Sequence, residues 1–260
     1  MSEINFECIG QVGLITIDRP KANAIDAGAS RAIYEAVCRL ESDSNLRVGV
    51  ITGAGDKFFS AGWDLKAAAE GERADTDYSP GGFAGITEMF NRKKPLIAAV
   101  NGIAFGGGFE IALACDFIVA SENAQFALPE ASLGIIADAG GVIRLPNLIG
   151  KIRAAELLMT GRRLEAATAF EWGLLNRVVP QDLLIETAME LAKSISQMAP
   201  LSISAILEIW QKIDGLNDEE AFALLRKKSL PIYSSLVDSE DAAEGVRAFS
   251  EKRDPNWSGK

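Results

Sequence analysis

The chain has 260 residues, of which 48% are hydrophobic and 24% are charged, a composition typical of a soluble globular protein. It contains no histidine, which excludes Ser-His-Asp and Cys-His nucleophile systems and zinc sites of the HExxH type. Its net charge of −10 disfavours binding to a nucleic-acid backbone. Any acid-base chemistry therefore depends on carboxylates, lysine, tyrosine or the backbone.

The cysteines and the apolar segments indicate the cellular setting. Cys8, Cys38 and Cys115 form no CxxC pair, so we expect reduced thiols in the core rather than a metal cluster or a disulfide framework. The N-terminus is acidic and has no secretory apolar segment, and the longest apolar stretch, 102–120, is interrupted by two acidic residues that would be costly in lipid. We expect a cytoplasmic protein that needs neither a membrane nor a metal.

Short strands and helices alternate over the first 120 residues. The hydrophobic pattern predicts a hairpin of Phe6–Ile9 and Val12–Asp18, a helix over 29–41 and a buried strand at Val48–Thr52. Further along, the predicted elements are a mobile loop or lid at 71–82, a helix near 83–92, strands at Leu96–Val100 and Phe117–Ala120, and between these strands a short helix from Gly107.

After residue 150 the pattern becomes mostly helical, with one strand-like segment at Asn176–Val179. The last 60 or so residues are predicted to be helices separated at Pro200, Gly215, Pro231 and Gly245. Strands and helices followed by a helical tail are typical of an α/β domain with a helical appendage. No flexible linker separates the two parts, which disfavours an independent second domain.

The first segment whose residues suit binding or catalysis is 57–72. Here a glycine loop leads through Gly62 and Trp63 into a helix near Asp64. Backbone N–H groups at such a junction are unpaired, and the helix dipole favours an anion or a polarised carbonyl there. The alternative is an ordinary strand-loop-helix connection in which Asp64 caps the helix.

The second segment is 98–116, in which three consecutive glycines, 106–108, open an apolar helix. Each glycine in a helix lowers its stability by about 1 kcal/mol. A group that must approach the backbone closely would explain why three glycines occur here. Neither a dinucleotide fingerprint nor a phosphate loop fits here; tight helix packing is the alternative. Glu110 lies in the first turn of this helix, where it is either a buried functional carboxylate or an exposed capping residue.

The third segment is 126–141, where Glu130 follows Pro129 in an apolar setting. Two such glutamates suit a paired acid-base role, because burial raises the pKa of one carboxyl while hydrogen bonds keep the other ionised. Taken alone, a glutamate such as Glu130 is more often an acidic residue at the start of a surface helix than a catalytic residue. Sequence spacing does not show whether the two glutamates meet.

These segments resemble the crotonase (enoyl-CoA hydratase/isomerase) superfamily, and the resemblance covers essentially the whole chain. The matching stretches are DRPKANAIDA (18–27), ITGAGDKFFSAGWDLKAAAEGE (51–72), PGGFAGITE (80–88), AAVNGIAFGGGFEIALACDFIV (98–119), FALPEASLGI (126–135), MTGRR (159–163), WGLLNRVV (172–179) and EKRDPNW (251–257). The turn IIADAGG (135–141) departs from the family, in which a proline is usual; this puts the identity of the acyl group in question.

The resemblance implies an α/β fold, a crotonase-like spiral of ββα units over residues 1–195, with a C-terminal helical region at 196–260 that builds a homotrimer or a dimer of trimers. It implies an acyl-CoA thioester as substrate, with no cofactor apart from the coenzyme A of the substrate itself. It also implies an oxyanion hole made by the backbone N–H groups of Trp63 and Gly107. The two family glutamates correspond to Glu110 and Glu130, and both are present.

In the implied hydration, Glu110 deprotonates the water that attacks C3 and Glu130 delivers a proton to C2. The resemblance places coenzyme A against Lys21, Ala22, Ala24, Ala61, Asp64, Leu65 and Lys252, and we assign Tyr78, Phe83 and Asp138 to the acyl pocket. Within the superfamily the chain most resembles enzymes that act on an acyl group ending in a trimethylammonium. Trp63, Tyr78 and Phe83 are candidates for the aromatic faces that would contact this cation. The alternatives are a general short-chain enoyl-CoA hydratase and a non-catalytic acyl-CoA-binding or RNA-binding relative.

Overall fold

The computed structural model describes residues 3–260. Its strands are Ile4–Ile9 (β1), Val12–Ile17 (β2), Val48–Gly53 (β3), Phe58–Ser60 (β4), Leu96–Val100 (β5), Ile103–Phe105 (β6), Phe117–Ser121 (β7), Gln125–Ala127 (β8), Leu164–Glu165 (β9) and Arg177–Val179 (β10). Its α-helices are Ala27–Ser42 (α1), Leu65–Ala69 (α2), Gly107–Leu113 (α3), Gly141–Ile149 (α4), Lys151–Thr160 (α5), Ala166–Glu171 (α6), Leu184–Ser196 (α7), Pro200–Ile213 (α8), Asp218–Arg226 (α9), Pro231–Leu236 (α10) and Glu240–Glu251 (α11).

The strands form two sheets, and the chain alternates between them. A six-stranded sheet has the order β1-β2-β3-β5-β7-β10, and a four-stranded sheet has the order β4-β6-β8-β9. The successive pairs β3-β4, β5-β6 and β7-β8 each place one strand in each sheet, and a helical segment follows each pair. This repetition is a ββα spiral, so the fold class expected from the sequence is confirmed.

The central strands of the larger sheet are apolar throughout because both of their faces are covered. Every residue of β3 and β5 is buried. On one face, Val48, Val50 and Ile97 pack with residues of α7, including Ala188. On the other face, the sheet contributes to the main core with α1 and α3. Continuous apolar strands of this kind are typical of parallel sheets covered on both sides.

The prediction of a helix near 83–92 is wrong. This segment contains only a 3₁₀ turn at Phe83–Gly85, in which Ala84 and Gly85 both have positive φ. The turn is pressed directly against α1: a Cβ on Gly85 would lie 2.4 Å from the Tyr34 backbone N, and the Ala84 N–H donates to Ser30 Oγ at 3.0 Å. Close backbone contact with α1 thus replaces the helix.

Two other predictions need correction. Gly245 lies inside α11 instead of separating two helices, and a Cβ there would lie 3.3 Å from the Trp257 ring, so its lack of a side chain makes room for the C-terminal tail. Cys8 is exposed on the edge strand β1, while Cys38 and Cys115 are half-buried. All three are free thiols, but the expectation that all lie in the core is wrong for Cys8. Among residues 3–260, no helix has the length and hydrophobicity needed to cross a bilayer.

A buried ion pair joins the segment before β5 to the start of β7. Arg92 is 8% exposed and donates to both carboxylate oxygens of Asp116, at 2.8 and 3.1 Å. Asp116 also accepts the Leu96 N–H at 2.8 Å. The pair therefore aligns two neighbouring strands of the larger sheet.

We expect Asp116→Ala to lower the free energy of unfolding by about 3–5 kcal/mol, because it leaves a buried guanidinium unpaired. Asp75→Asn is the control, since Asp75 pairs with Arg73 on the surface, where both side chains are more than two thirds exposed, and exposed pairs contribute little. Urea denaturation followed by circular dichroism measures both variants. Equal midpoints for Asp116→Ala and the wild type would contradict the role assigned to the pair.

Candidate active site

The three segments singled out in the sequence follow three neighbouring parallel strands of the smaller sheet. Strands β4, β6 and β8 run parallel. Trp63 comes three residues after the end of β4, Gly107 two after β6, and Glu130 three after β8. Since the carboxyl ends of parallel strands lie at one edge of a sheet, the fold brings the three segments together, at the position where open parallel sheets bind ligands.

Two glycines allow the first two segments to touch through their backbones. Gly62 has a φ of +85°, and a Cβ on it would lie 2.7 Å from the Gly107 N and 2.7 Å from the Phe105 O. A Cβ on Gly108 would lie 2.1 Å from the Ser60 O. Gly108 therefore serves close packing of the helix on the neighbouring strand, one of the two explanations left open by the sequence, and the contact at Gly62 brings the Trp63 segment against the Gly107 N.

The backbone N–H groups of Trp63 and Gly107 donate to no protein acceptor within residues 3–260. The Trp63 segment is held from its other side by Ile25, whose N–H donates to Gly62 O at 2.8 Å and whose O accepts the Asp64 N–H at 2.9 Å. Gly107 is the first residue of α3, where N–H groups have no partner within the helix. Two fixed, unpaired donors are thus available to a ligand oxygen.

Glu110 is a buried carboxylate with one main-chain partner. Its side chain is 3% exposed, and its Oε1 accepts the Gly141 N–H at 2.8 Å. Burial raises the pKa of Glu110 to about 8; the Gly141 hydrogen bond and the Arg144 charge oppose this increase, and the charges of Glu130 and Asp138 add to it. Glu110 is therefore poised to exchange a proton near neutral pH.

Glu130 is the second buried carboxylate. It is 9% exposed, and its Oε2 has no hydrogen-bond partner among the described residues. Burial raises its pKa, and the negative charge of Asp138 raises it further. A Cβ on Gly106 would lie 2.8 Å from Glu130 Oε1, so the glycine turn also makes room for this carboxyl group.

Both glutamates line one cavity of about 250 Å³. The lining residues are Trp63, Ala74, Tyr78, Phe83, Gly107, Glu110, Glu130, Ile135, Ile136, Asp138 and Ala139. The volume is near the lower end of ligand sites in proteins, which suits a short acyl group. Tertiary structure thus brings together all seven residues predicted as catalytic, oxyanion-hole or acyl-pocket residues.

One wall of the cavity is aromatic. The rings of Tyr78 and Phe83 meet edge to face, with centroids 5.2 Å apart. The Phe83 ring also covers Gly107, where a Cβ would lie 2.4 Å from it. Burial raises the pKa of Tyr78 to about 12, together with the negative charges of Glu72, Asp138 and Asp75.

The cavity is also acidic. No lysine or arginine is among its lining residues, whereas three carboxyl groups are. Asp138 is exposed and also lines an adjoining cavity of about 340 Å³ with Asp75, Asp77 and Glu88. A group bound at this end therefore meets negative charge and aromatic faces.

The predicted coenzyme A residues are brought together only in part. The segment containing Ala22 and Ala24 lies along the segment after β4, with the Ala61 N–H donating to Ala22 O at 2.9 Å. Asp64 caps α2. Leu65, which follows Asp64, and Lys21, which precedes Ala22, are both exposed. Lys252 is exposed at the C-terminal end of α11 and does not line the cavity of this chain.

Sequence reasoning missed two residues that shape the site. Glu72 accepts the Trp63 Nε1–H at 2.9 Å and the Ala27 N–H at 3.0 Å, which connects the loop at 71–82 to the Trp63 segment and to α1. Gly141 holds Glu110, as described above. The glycine pair before α4 was the available signal for Gly141, whereas nothing local distinguishes Glu72 from other loop acids.

The ββα spiral is the fold of acyl-CoA hydratase-type proteins. The chain belongs to the enoyl-CoA hydratase/isomerase family, whose model matches residues 7–260. Similar solved structures include enoyl-CoA hydratase from Mycobacterium tuberculosis H37Rv, with a TM-score of 0.91, 40% identity and 99% of both chains covered. A probable enoyl-CoA hydratase/isomerase from Mycobacterium abscessus has a TM-score of 0.90 and 42% identity, with both chains covered completely.

Curated relatives are more similar in sequence. Carnitinyl-CoA dehydratase from Citrobacter koseri is 55% identical over 261 residues, covering 100% of both chains. Carnitinyl-CoA dehydratase from Salmonella typhimurium is 57% identical over 251 residues, covering 96% of both. The resemblance stated from the sequence motifs is therefore confirmed.

We expect Gly62→Ala to lower acyl-CoA turnover by about 100-fold, the loss that a displacement of about 1 Å can cause, because the new Cβ would collide with the Gly107 and Phe105 backbones. Gly55→Ala is the matched control: its φ is +82°, but nothing lies within 4 Å of a Cβ there. Both variants carry the same backbone strain, so only the collision differs. Steady-state kinetics measure the turnover of both variants. An equal loss of turnover in the two would argue against the close approach at Gly62.

Proposed function

We propose that the protein catalyses the reversible dehydration of carnitinyl-CoA to crotonobetainyl-CoA. The chain is a hydro-lyase of the enoyl-CoA hydratase/isomerase family. The two carboxyl groups in one small cavity beside two unpaired N–H donors are the observation that carries the proposed chemistry. The identity of the acyl group rests on the acidic, aromatic end of that cavity and on the names of the relatives above.

The thioester carbonyl oxygen would accept hydrogen bonds from the Trp63 and Gly107 N–H groups. Removing a proton from C2, or adding water at C3, places enolate character on this oxygen. Fixed donors in a water-poor site stabilise such charge by about 3–4 kcal/mol each. The donors are backbone groups held by glycine packing, so they need no reorganisation as charge develops.

The two glutamates would divide the proton transfers. In hydration, Glu110 takes a proton from the water whose oxygen forms the bond to C3, and Glu130 gives its proton to C2. In dehydration, Glu130 takes the C2 proton, the C3–O bond breaks, and Glu110 protonates the leaving hydroxyl so that water departs. Each direction moves one proton onto one glutamate and one proton off the other, so the reaction is balanced without a cofactor apart from the coenzyme A of the substrate.

The acyl end would carry a trimethylammonium group. Asp138 offers a negative charge, and Tyr78 and Phe83 offer aromatic faces, which attract such a cation by about 0.5–2 kcal/mol per contact. An acidic cavity without a basic lining residue favours this substrate over the uncharged crotonyl group. A general short-chain enoyl-CoA hydratase is the competing function, and the substrate comparison below separates the two.

We propose further that coenzyme A lies along residues 21–25 and 61–65 and that the helical region 196–260 builds a trimer in the cytoplasm. Exposed apolar side chains on several helices support an assembly, because large exposed apolar areas mark contact surfaces. On α5, Ile152 and Met159 are 90% and 78% exposed; on α11, Val246 and Phe249 are 74% and 86% exposed. Lys252 would then reach the coenzyme A of a neighbouring copy.

The proposed acid-base roles predict a shifted pH profile. We expect a bell-shaped kcat/KM profile for hydration, because turnover needs one glutamate ionised and the other protonated. Activity should fall as the pH rises through about 8, where burial places the pKa of Glu110 and the last proton leaves the pair, and it should also fall at low pH, where both carboxyl groups are protonated. Glu110→Gln and Glu130→Gln should each reduce kcat by at least about 100-fold and keep the affinity for a saturated acyl-CoA, measured by calorimetry. Wild-type turnover in either variant would refute the paired mechanism.

The cation argument predicts selectivity that depends on Asp138. We compare hydration of crotonobetainyl-CoA, crotonyl-CoA and 5,5-dimethylhex-2-enoyl-CoA, in which carbon replaces the quaternary nitrogen at the same size. Asp138→Asn should lower kcat/KM about tenfold, or about 1.4 kcal/mol, for the cationic substrate and leave the neutral analogue unchanged. Loss of the enoyl absorbance follows each reaction.

Asp56→Asn, which removes an exposed carboxylate outside the cavity lining, controls for the change in net charge and should leave all three rates unchanged. If the wild type turns over crotonyl-CoA at least as well as crotonobetainyl-CoA, the general hydratase is the better description. Absence of turnover with every substrate would leave only a binding protein.

A further inference from the structure

Arg144 follows the Gly140–Gly141 turn by three residues. It belongs to α4 and lines a second cavity of about 650 Å³ with Arg92 and Cys115. It is not among the residues that line the acyl cavity. Arg144 therefore has no route to direct substrate contact at the acyl group.

The Arg144 guanidinium is packed under the turn that holds Glu110. A Cβ on Gly140 would lie 2.0 Å from Arg144 Nη1, so the guanidinium lies directly against this residue, whose φ of +129° favours glycine. The next residue, Gly141, donates its N–H to Glu110 Oε1 at 2.8 Å. Only one peptide unit thus separates the guanidinium contact from the carboxylate contact.

Arg144 also connects this turn to the aromatic wall of the acyl cavity. Its Nη2 donates to Thr87 O at 2.5 Å, and its Nη1 lies 3.5 Å from Ala139 O. Thr87 in turn donates its hydroxyl to Phe83 O at 2.9 Å. A single side chain therefore links the segment that positions Glu110 with the segment that carries Phe83.

Arg144 is a half-buried cation whose contacts within residues 3–260 are carbonyl oxygens; it forms no ion pair there. Burying a charge without a counter-ion costs stability, and Arg92 already has its carboxylate partner in Asp116. The charge of Arg144 beside the Glu110 turn therefore lowers the stability of the fold more than a neutral side chain would.

We propose that Arg144 is a positioning residue for Glu110, because its forked guanidinium holds the Gly140–Gly141 turn in place. Its positive charge also opposes the increase in the pKa of Glu110. The inference rests on the proposed role of Glu110. The groups that face Glu110 are Glu130, Asp138 and Arg144, of which only Arg144 is positive. Arg144 itself is faced by Glu110, Arg92, Cys115 and Glu88.

Two variants separate the charge from the geometry. Arg144→Gln keeps a hydrogen-bond donor but removes the charge, so the alkaline midpoint of the kcat/KM profile for hydration should move upward by about one pH unit, the lower end of what a nearby charge produces. Arg144→Lys keeps the charge but loses the fork, so the midpoint should stay while kcat falls about tenfold. KM should change less than twofold in both, because Arg144 does not line the acyl cavity.

Arg177→Met removes an exposed arginine of β10 and is the control for net charge; its profile should match the wild type. Thermal melts confirm that each variant is folded, and Arg144→Lys remains informative if Arg144→Gln is not. The inference is overturned if the folded Arg144 variants keep the wild-type midpoint and kcat while Glu110→Gln is inactive. That outcome would leave the proposed function standing. An active Glu110→Gln would overturn the proposed function itself.

Discussion

The site depends on one constraint, the contact between the backbones at Gly62 and Gly107. At 2.7 Å from a notional Cβ on Gly62 to the Gly107 N, no side chain fits between the two segments. The contact places two unpaired N–H donors next to each other, and it does so with backbone atoms that cannot rotate away. In the proposed function, these fixed donors would stabilise the charge that develops on the thioester oxygen.

Burial then shapes the chemistry around those donors. Glu110 and Glu130 would be ordinary acids in water, but in a small cavity burial raises the pKa of both. Their partners differ: Glu110 accepts the Gly141 N–H, whereas Glu130 Oε2 has no hydrogen-bond partner among the described residues. The negative charge of Glu130 also adds to the increase in the pKa of Glu110, so the titrations of the two groups are linked.

Elements with strong local patterns were predictable. The hairpin, α1, β3, β5, α3 and β7 all agree with the predictions to within a few residues. The prediction of a helix near 83–92 was wrong. Contact of Gly85 with the α1 backbone imposes positive φ angles there, and hydrophobic periodicity does not reveal such angles. The three-residue strands β4 and β6 were also missed; they are too short to show alternation, yet they are the strands that bring the three segments to one edge.

The sequence by itself determined which residue types could act, because a chain without histidine but with Glu110 and Glu130 in apolar segments has few other acid-base options. Family motifs identified those residues before any coordinates. Only the tertiary structure decided that the glutamates share a cavity, that this cavity is acidic and partly aromatic, and that the Gly141 N–H donates to Glu110. These properties arise from contacts between segments distant in the chain, and spacing along the sequence does not encode such distances.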